Sequence, residues 1–350
     1  MIMNISHQQL EHLFNDFKRL KVLILGDVMV DSYIWGKVDR ISPEAPVPVV
    51  LVKRRSNMLG GAANVALNIK SLGAEPILCS VIGSDIRGND FIELLEKDDI
   101  STKGIIQSSG RITTTKFRII GNKTQLLRVD EENENDLDDL EQKTLTDKLN
   151  NLLENEDINV IILQDYNKGV LTEEVISHII ELGNKKGIPI VVDPKKKNFN
   201  CYRQVDLFKP NLKELAEGLK LEFGVSDIGK IGEACAEWQR RQGIASLMVT
   251  LSEKGVFIRE QTDGKANEYH IPAHLRNIAD VSGAGDTVIS VASLCRALKI
   301  DSELTAALAN IAGGLVCEQV GVVPVNGQNL LKEAVQLLSS DKKVGRNSFI

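Results

Sequence analysis

The chain has 350 residues, of which 43% are hydrophobic and 26% are charged, a composition typical of a folded protein with a sizeable core rather than of a disordered segment. Its formal net charge of -6 at pH 7 excludes the broad basic surface on which nucleic-acid binding depends, so we expect no nucleic-acid partner. Five cysteines without CxxC spacing, no signal-peptide pattern and no apolar run of the roughly eighteen residues that a membrane span needs indicate a cytoplasmic protein with no membrane partner.

The first two predicted elements are a helix and a buried strand. Leu10, Leu13 and Phe17 recur at helical spacing, and residues 21–27 then form an apolar run that ends in Gly-Asp. This alternation predicts an α/β fold with a mainly parallel sheet covered by helices, because strand-like runs continue along the chain, mostly separated by helical patterns. These runs lie at residues 76–82, 160–163, 188–192, 205–208 and 246–251.

Two stretches depart from this alternation. Residues 47–53 and the pair 113–120 and 124–129 interleave Thr, Arg and Lys with Ile, Leu and Val, and a Gly-Asn-Lys turn separates the members of the pair. Such interleaving is typical of half-exposed antiparallel strands joined by a tight turn. We therefore predict a small separate β-sheet, a lid whose strands lie at about residues 33–53 and 111–130.

Two motifs in the first third of the chain are suited to contact with a polar ligand. Gly60-Gly61-Ala62-Ala63-Asn64 precedes a helix of small residues, and Asp31 follows the first strand, where a carboxylate can accept two sugar hydroxyls. A purely structural Gly-Gly turn is the alternative. Neither the dinucleotide fingerprint GxGxxG after the first strand nor the P-loop GxxxxGK[ST] occurs, which argues against a nicotinamide enzyme and a P-loop kinase.

Polar groups follow several of the later strands. Asp165 and Lys168, the Asp-Pro-Lys sequence that ends at Lys195, and Thr250 come directly after apolar runs. Because the carboxyl ends of parallel strands meet at one edge of a sheet, these groups predict a binding crevice. Asn211 and Glu214 begin a predicted helix three residues apart, where they either form a capping box or hold Mg²⁺ and phosphate.

The motif Gly283-Ala284-Gly285-Asp286 precedes a run of small and apolar residues suited to a buried helix. Backbone N–H groups and the dipole at such a helix start form an anion site, which favours charge developing on a transferred phosphoryl group. Taken alone, Asp286 fits two roles, a carboxylate stabilised by the helix dipole or a general base for a substrate hydroxyl. The surrounding motifs favour the general base.

In this order the motifs resemble those of the ribokinase-like (pfkB) carbohydrate kinases, whose hallmarks are an early GG-x-x-N motif and a late D-x-x-GAGD motif, here at residues 60–64 and 280–286. The string RISPEAPVPV at residues 40–49, together with DVMVD, QDYNKG and VDPK, is similar to one branch, the D-glycero-β-D-manno-heptose 7-phosphate kinases. The resemblance implies transfer of the γ-phosphoryl group of ATP to the anomeric hydroxyl of that heptose phosphate. This reaction belongs to the synthesis of ADP-heptose for lipopolysaccharide.

For the architecture, the resemblance implies a three-layer α/β/α sandwich with a β lid. The kinase domain would span residues 21–330, between an N-terminal helix in residues 1–20 and a C-terminal helix and tail in residues 331–350. Lids of this family commonly pair two subunits, so a homodimer is implied. Many members of the branch carry a further nucleotidyltransferase domain with an HxGH motif, which does not occur here, so kinase activity alone is expected.

The resemblance also implies roles for individual residues. Asp286 would be the catalytic base, and the N–H groups of Gly283, Ala284 and Gly285 would form an anion hole. The residues implied in substrate binding are Asp31, Gly60, Gly61, Asn64, Arg118, Arg128, Asp165 and Lys168. Those implied in nucleotide binding are Lys195, Asn211, Glu214, Thr250, Gly255 and Asn310. Asn211 and Glu214 would hold Mg²⁺ through phosphate or water, and Asp280 would mark a K⁺ site.

Two alternatives stay open at the level of the sequence. The first is a kinase of the same family that acts on another sugar or sugar phosphate. The second is a sugar-binding sensor that has kept the fold and lost the chemistry, against which the intact GAGD motif argues.

Overall fold

The structure, a computed structural model, describes residues 5–221, 228–262 and 265–340, in which helices and strands alternate along the chain. The helices are α1 (His7–Phe17), α2 (Ala62–Ser71), α3 (Ile86–Lys97), α4 (Asp139–Asn155), α5 (Glu173–Lys186), α6 (Leu212–Leu219), α7 (Ile228–Gln242), α8 (Ala284–Ala297), α9 (Ser302–Cys317) and α10 (Gly327–Leu338). The strands are β1 (Lys21–Gly26), β2 (Val28–Ile41), β3 (Pro48–Gly61), β4 (Glu75–Gly83), β5 (Ile105–Ser108), β6 (Thr115–Gly121), β7 (Thr124–Glu131), β8 (Val160–Gln164), β9 (Ile190–Asp193), β10 (Leu207–Phe208), β11 (Ser246–Thr250), β12 (Val256–Thr262) and β13 (Lys265–Ile271).

Within the described ranges, the larger sheet has nine strands in the order β13-β12-β11-β10-β9-β8-β1-β4-β5. The strands from β11 to β5 are parallel, and β12 and β13 add antiparallel to one edge. Helices cover both faces. Val22 and Ile24 of β1 pack with α1, α2, α8, α9 and α10 on one face, and Leu23 and Leu25 pack with α4, α5 and α7 on the other. The predicted three-layer α/β fold with a mainly parallel sheet is confirmed.

The strand order reverses at β1, which pairs with β4 on one side and β8 on the other. Such a switch point opens a crevice at the carboxyl ends of the strands, where open α/β sheets bind their ligands. Gly26 ends β1 at this point, and a Cβ added to it would lie 2.0 Å from the carbonyl oxygen of Gln164. Glycine therefore allows β1 and β8 to stay in register up to the edge of the crevice.

The smaller sheet has the order β3-β2-β6-β7 and confirms the predicted lid sheet. Strands β6 and β7 form a hairpin whose turn residues Asn122 and Lys123 have φ values of 51° and 69°, as the tight turns of twisted hairpins require. Strand β2 begins at Val28, so Asp31 lies inside a strand of the lid sheet rather than in a loop after β1. The first six residues of β2 are all buried. They therefore lack the alternation of polar and apolar residues by which a lid strand is recognised in a sequence.

The end of the chain differs from the sequence-based expectation. Helix α10 begins at Gly327, four residues before the predicted start of the C-terminal segment at 331, because Asn326 caps it by accepting from the N–H of Asn329 at 2.9 Å. Residues 341–350 of the predicted C-terminal segment lie outside the described residues. In the part of the chain that the structure describes, no helix is both long and apolar enough to cross a bilayer.

Candidate active site

A pocket of about 210 Å³ opens at the carboxyl ends of β8, β9 and β11 and faces the start of α8. Seven predicted site residues line this pocket. They include predicted nucleotide ligands as well as residues of the predicted anion hole and the predicted base. The lining residues are Tyr166, Asp193, Lys195, Lys209, Asn211, Glu214, Thr250, Gly283, Gly285 and Asp286. Three of them, Tyr166, Asp193 and Lys209, were not predicted as site residues.

The GAG motif forms the start of α8 as predicted. Gly283 is the N-cap with φ of 79°, in the left-handed region that favours glycine, and a Cβ added to it would lie 3.0 Å from the side-chain nitrogen of Asn64. Gly285 borders the pocket, and among the described residues the nearest side-chain atoms to the place of its missing Cβ are Lys209 Nζ at 3.7 Å and Asp193 Oδ2 at 3.9 Å. The helix start therefore presents backbone rather than side chains to the pocket, as an anion site requires.

Asp286 is the third residue of α8 and is 6% exposed. The amide of Asn64 donates to its Oδ2 at 2.7 Å, and the Tyr166 hydroxyl donates to its Oδ1 at 2.7 Å. The amide of Gln164 adds a longer bond to Oδ1 at 3.2 Å. Burial raises the pKa of Asp286 to about 6, and the donors Tyr166 and Asn64 oppose that rise. The carboxylate is thus ionised at neutral pH yet basic enough to take a proton.

Asp193 and Lys209 form a buried ion pair beside the anion site, with 2.9 Å between Lys209 Nζ and Asp193 Oδ2. Gln164 connects this pair to the carboxylate of α8, because its amide nitrogen lies 3.2 Å from Asp193 Oδ2 and 3.2 Å from Asp286 Oδ1. The Lys209 ammonium is 3.7 Å from the place where Gly285 lacks a Cβ. A positive charge therefore lies next to the backbone that would meet a phosphoryl group.

Asn211 and Glu214 form a capping box at the start of α6. The N–H of Glu214 donates to Asn211 Oδ1 at 2.8 Å, and the N–H of Asn211 donates to Glu214 Oε2 at 2.8 Å. The remaining oxygen of Glu214 pairs with the Lys195 ammonium, and the charges of Asp193 and Glu214 raise the pKa of Lys195 against the opposing effect of its burial. The capping box, which the sequence left open as the structural alternative to Mg²⁺ and phosphate binding, is thus present. Both of its side chains also line the pocket.

Asp31 and Arg118 both lie in the lid sheet, outside the residues that line the pocket. They form an ion pair between β2 and β6, and the Arg118 guanidinium lies 5.2 Å from the ring centroid of Tyr33. A Cβ on Gly60 would lie 2.5 Å from Asp31 Oδ2, so glycine there leaves room for this carboxylate. Gly61, with φ of 62°, begins α2 and has no side chain to contact a ligand.

Asn64, Asp165 and Lys168, which were expected to bind substrate, each contact other side chains of the chain. Asn64 is fully buried and donates to Asp286. Asp165 is also fully buried, and its carboxylate accepts from Tyr202 at 2.8 Å and Asn198 at 3.1 Å. The ammonium of Lys168 is paired with Glu132 and Glu134 at 2.9 and 2.7 Å.

The other predicted ligands lie outside the residues that line the pocket. Arg128 is exposed and pairs with Asp130 at 3.0 Å, and the Asn310 amide donates to the Pro272 carbonyl at 2.9 Å. Gly255 forms the turn before β12, where its φ of 91° requires glycine. Asp280 accepts from the backbone N–H groups of Ser282 and Gly321 at 2.9 and 3.0 Å, and these bonds lower its pKa against the effect of burial.

The donors at the pocket are of the kind that Mg²⁺ binds. Among residues 5–221, 228–262 and 265–340, no group of three or more His, Cys, Asp or Glu side chains is arranged to hold a metal ion. Mg²⁺ commonly binds through one or two carboxylates, substrate phosphates and water. Asp193 and Glu214 supply carboxylates at the pocket, and Asn211 supplies an amide oxygen.

Comparisons with known proteins agree with this geometry. The chain is 37% identical over 338 residues to the bifunctional protein HldE of Syntrophotalea carbinolica, which covers 96% of this chain and 67% of that protein. It is 41% identical over 303 residues to the bifunctional protein HldE of Helicobacter pylori strain J99, which covers 86% of this chain and 63% of that protein. The chain thus spans about two thirds of the length of these relatives.

Solved structures show the same fold at low sequence identity. Phosphofructokinase-2 from Escherichia coli in complex with potassium has a TM-score of 0.72 at 18% identity, covering 89% of this chain and 97% of that chain. A putative ribokinase from Agrobacterium tumefaciens has a TM-score of 0.70 at 16% identity, covering 91% and 97%. The model of the pfkB family carbohydrate kinases matches residues 19–326. The chain therefore belongs to the pfkB family of carbohydrate kinases, phosphotransferases that use ATP and Mg²⁺ and act on an alcohol group.

Proposed function

We propose that the chain transfers the γ-phosphoryl group of ATP to the anomeric hydroxyl of D-glycero-β-D-manno-heptose 7-phosphate and releases the 1,7-bisphosphate. Support for this acceptor comes from the RISPEAPVPV string and from identities of 37% and 41% to proteins named HldE. The observation that carries the chemistry is the buried Asp286 carboxylate at the mouth of α8, next to backbone N–H groups and the Lys209 ammonium.

The pocket geometry supports a mechanism of positioning and charge stabilisation. Asp286 accepts the proton of the sugar hydroxyl as that oxygen attacks the γ-phosphorus. The N–H groups of Gly283, Ala284 and Gly285, with the Lys209 ammonium, stabilise the charge on the transferred group. Lys195 and the start of α6 meet the nucleotide phosphates from the other side of the pocket, and Mg²⁺ neutralises phosphate charge when it is bound.

The phosphate end of the sugar would meet a cationic face of the lid sheet. Tyr33 and Trp35 lie two residues apart on β2 with their rings stacked at 5.2 Å, so they share one face. Arg54 lies 3.9 Å over the Trp35 ring, and Arg118 pairs across the sheet with both Tyr33 and Arg128. The charge of Arg118 is one of the effects that lower the pKa of Asp280, which lies in the loop before α8. Arginine suits such a site because its guanidinium binds phosphate in a bidentate manner.

We also propose that Asp280 marks a K⁺ site. Its carboxylate connects the loop before α8 to Gly321, so an ion there would contact the backbone that leads into the anion hole. The potassium complex of the similar phosphofructokinase-2 from Escherichia coli supports the idea.

A panel of acceptors tests the proposed substrate. We expect kcat/KM for D-glycero-β-D-manno-heptose 7-phosphate to exceed that for ribose, fructose 6-phosphate and the unphosphorylated heptose by about 100-fold or more. Ribose and the unphosphorylated heptose lack the phosphate that would bind the arginines of the lid sheet, and fructose 6-phosphate lacks the heptose skeleton. ADP release in the presence of ATP and Mg²⁺ measures this. ADP release with a different sugar alone would assign another kinase specificity, and no release with any sugar would favour the sensor alternative.

We propose that the chain forms a homodimer through the lid sheet. Leu127 and Val129 lie two residues apart on β7, so they share one face of this sheet, and they are 54% and 42% exposed. Exposed apolar patches of this kind mark interaction sites. Sedimentation should give twice the chain mass of 38.5 kDa, and Leu127→Asp should shift the equilibrium to the monomer. Leu140→Asp, at an exposed leucine on α4, serves as the matched control and should leave the dimer intact. A wild-type monomer at micromolar concentration would contradict the proposal.

A further inference from the structure

We propose that Tyr166 is a positioning residue for the catalytic base: its hydroxyl fixes Oδ1 of Asp286 and leaves Oδ2 as the atom that accepts the substrate proton. This inference rests on the role of Asp286 as the base in the proposed function, and it assigns that role to one of the two carboxylate oxygens. Tyr166 follows β8 and lines the pocket, and its position directly after a strand was the signal that the sequence offered for it.

The assignment follows from the donors that meet each oxygen. Oδ1 receives two, the Tyr166 hydroxyl at 2.7 Å and the Gln164 amide at 3.2 Å. Among the described residues, Oδ2 receives the Asn64 amide at 2.7 Å. A carboxylate oxygen has about two lone-pair positions, so Oδ1 is saturated and Oδ2 keeps one position for a substrate hydroxyl. A substrate that approached Oδ1 would have to displace a protein donor first.

Tyr166 is itself held in place at its backbone. Asp27, at the end of β1, is a buried carboxylate whose Oδ2 accepts from the N–H groups of Tyr166 and Lys168 at 2.8 and 3.1 Å. Its Oδ1 accepts from the N–H of Val170 at 3.0 Å. The segment after β8 is thereby fixed to the end of β1. The Lys195 ammonium lies 5.6 Å from the centroid of the Tyr166 ring, so the ring is also contacted from the nucleotide side.

The donors and charges around Asp286 determine in which direction its pKa changes when the Tyr166 hydroxyl is removed. Tyr166 and Asn64 donate to the ionised form of Asp286 and lower its pKa, Lys209 lowers it through its charge, and Asp193 raises it through its charge. Removal of the Tyr166 hydroxyl takes away one stabilising donor and leaves the other groups in place. The pKa of Asp286 then rises above its value of about 6.

The test is the pH profile of Tyr166→Phe. The acidic limb of the pH profile of kcat/KM reports the pKa of the base in the free enzyme, and we expect this limb to move to higher pH by about one unit. We also expect kcat at pH 7 to be lower by roughly 10-fold. The acceptor is heptose 7-phosphate or, if the panel selects another sugar, that sugar, so the result does not depend on the proposed substrate. Tyr202→Phe is the matched control, since it removes a buried tyrosine hydroxyl from a different carboxylate, Asp165, and should leave the limb in place.

A second variant keeps the test decisive if Tyr166→Phe is too inactive to assay. Incorporation of 3-fluorotyrosine at position 166 makes the phenol more acidic and the donated hydrogen bond stronger, so the limb should move to lower pH. An acidic limb that stays within about 0.2 pH units of wild type in every Tyr166 variant that can be assayed would overturn the proposal, as would an equal shift in Tyr202→Phe.

Discussion

Asp286→Asn is expected to lower kcat by about 1,000-fold or more while the affinities for ATP and the acceptor change little. The substitution keeps the size of the side chain and one acceptor oxygen, but it removes the group that can take the hydroxyl proton. Kinetics of ADP release and calorimetric titration of each ligand measure the two effects. Asp147→Asn, at an exposed aspartate on α4, is the matched control and should leave both unchanged.

The same variant should be more stable than the wild type at alkaline pH. The folded pKa of Asp286 is raised to about 6 from the ordinary value of 3.8, so ionised Asp286 destabilises the fold above pH 6. By linkage, this pKa difference lowers the free energy of unfolding of the wild type by a value on the order of 3 kcal/mol above pH 6. The loss decreases as the pH falls below 6 and is absent below about pH 3.8. The difference in free energy of unfolding between the two proteins should therefore be largest at pH 8 and small at pH 4.5. Wild-type turnover in a well-folded Asp286→Asn would exclude Asp286 as the base.

The sequence predicted strands β1, β4, β8, β9, β10 and β11 of the central sheet, because they are largely buried and form continuous apolar runs. Strands β5 and β12 were not among the predicted runs. The antiparallel edge strand β13 was not predicted, since most of its residues are exposed and polar and only tertiary pairing with β12 makes it a strand. The first half of β2 was missed for the opposite reason. It is buried on both sides where the lid sheet meets the body of the protein, so it lacks the period of two.

The site was predictable where one local motif specifies it. The GAGD motif contains its own helix start, anion site and carboxylate. The contacts of Asp286 with Asn64 and Tyr166, in contrast, join residues 222 and 120 positions apart, and no local pattern encodes them. The same applies to the pair of Asp193 and Lys209, which depends on the parallel register of β9 and β10. Their position directly after strands was the available signal, and it did not distinguish a pocket residue from the buried Asp165.

Lys209→Met should reduce both activity and stability. It removes the ammonium beside Gly285, and loss of one donor from a preorganised anion site lowers kcat by about 100- to 1,000-fold. It also leaves the buried Asp193 carboxylate without its cation, which costs about 3–5 kcal/mol of unfolding free energy. Kinetics of ADP release and urea denaturation measure the two losses. Lys213→Met, whose side chain on α6 is 83% exposed, is the matched control and should change neither.

The double variant Lys209→Met with Asp193→Asn separates the two consequences of losing Lys209. Asparagine removes the unpaired charge, so most of the lost stability should return, because replacing both partners of a buried ion pair costs far less than removing one. The anion site still lacks its ammonium, so kcat should stay at the level of the single variant. Recovery of kcat together with stability would show that Lys209 acts only by neutralising Asp193. Recovery of stability alone, with wild-type kcat in the single variant Asp193→Asn, would show that its charge acts on the transferred phosphoryl group.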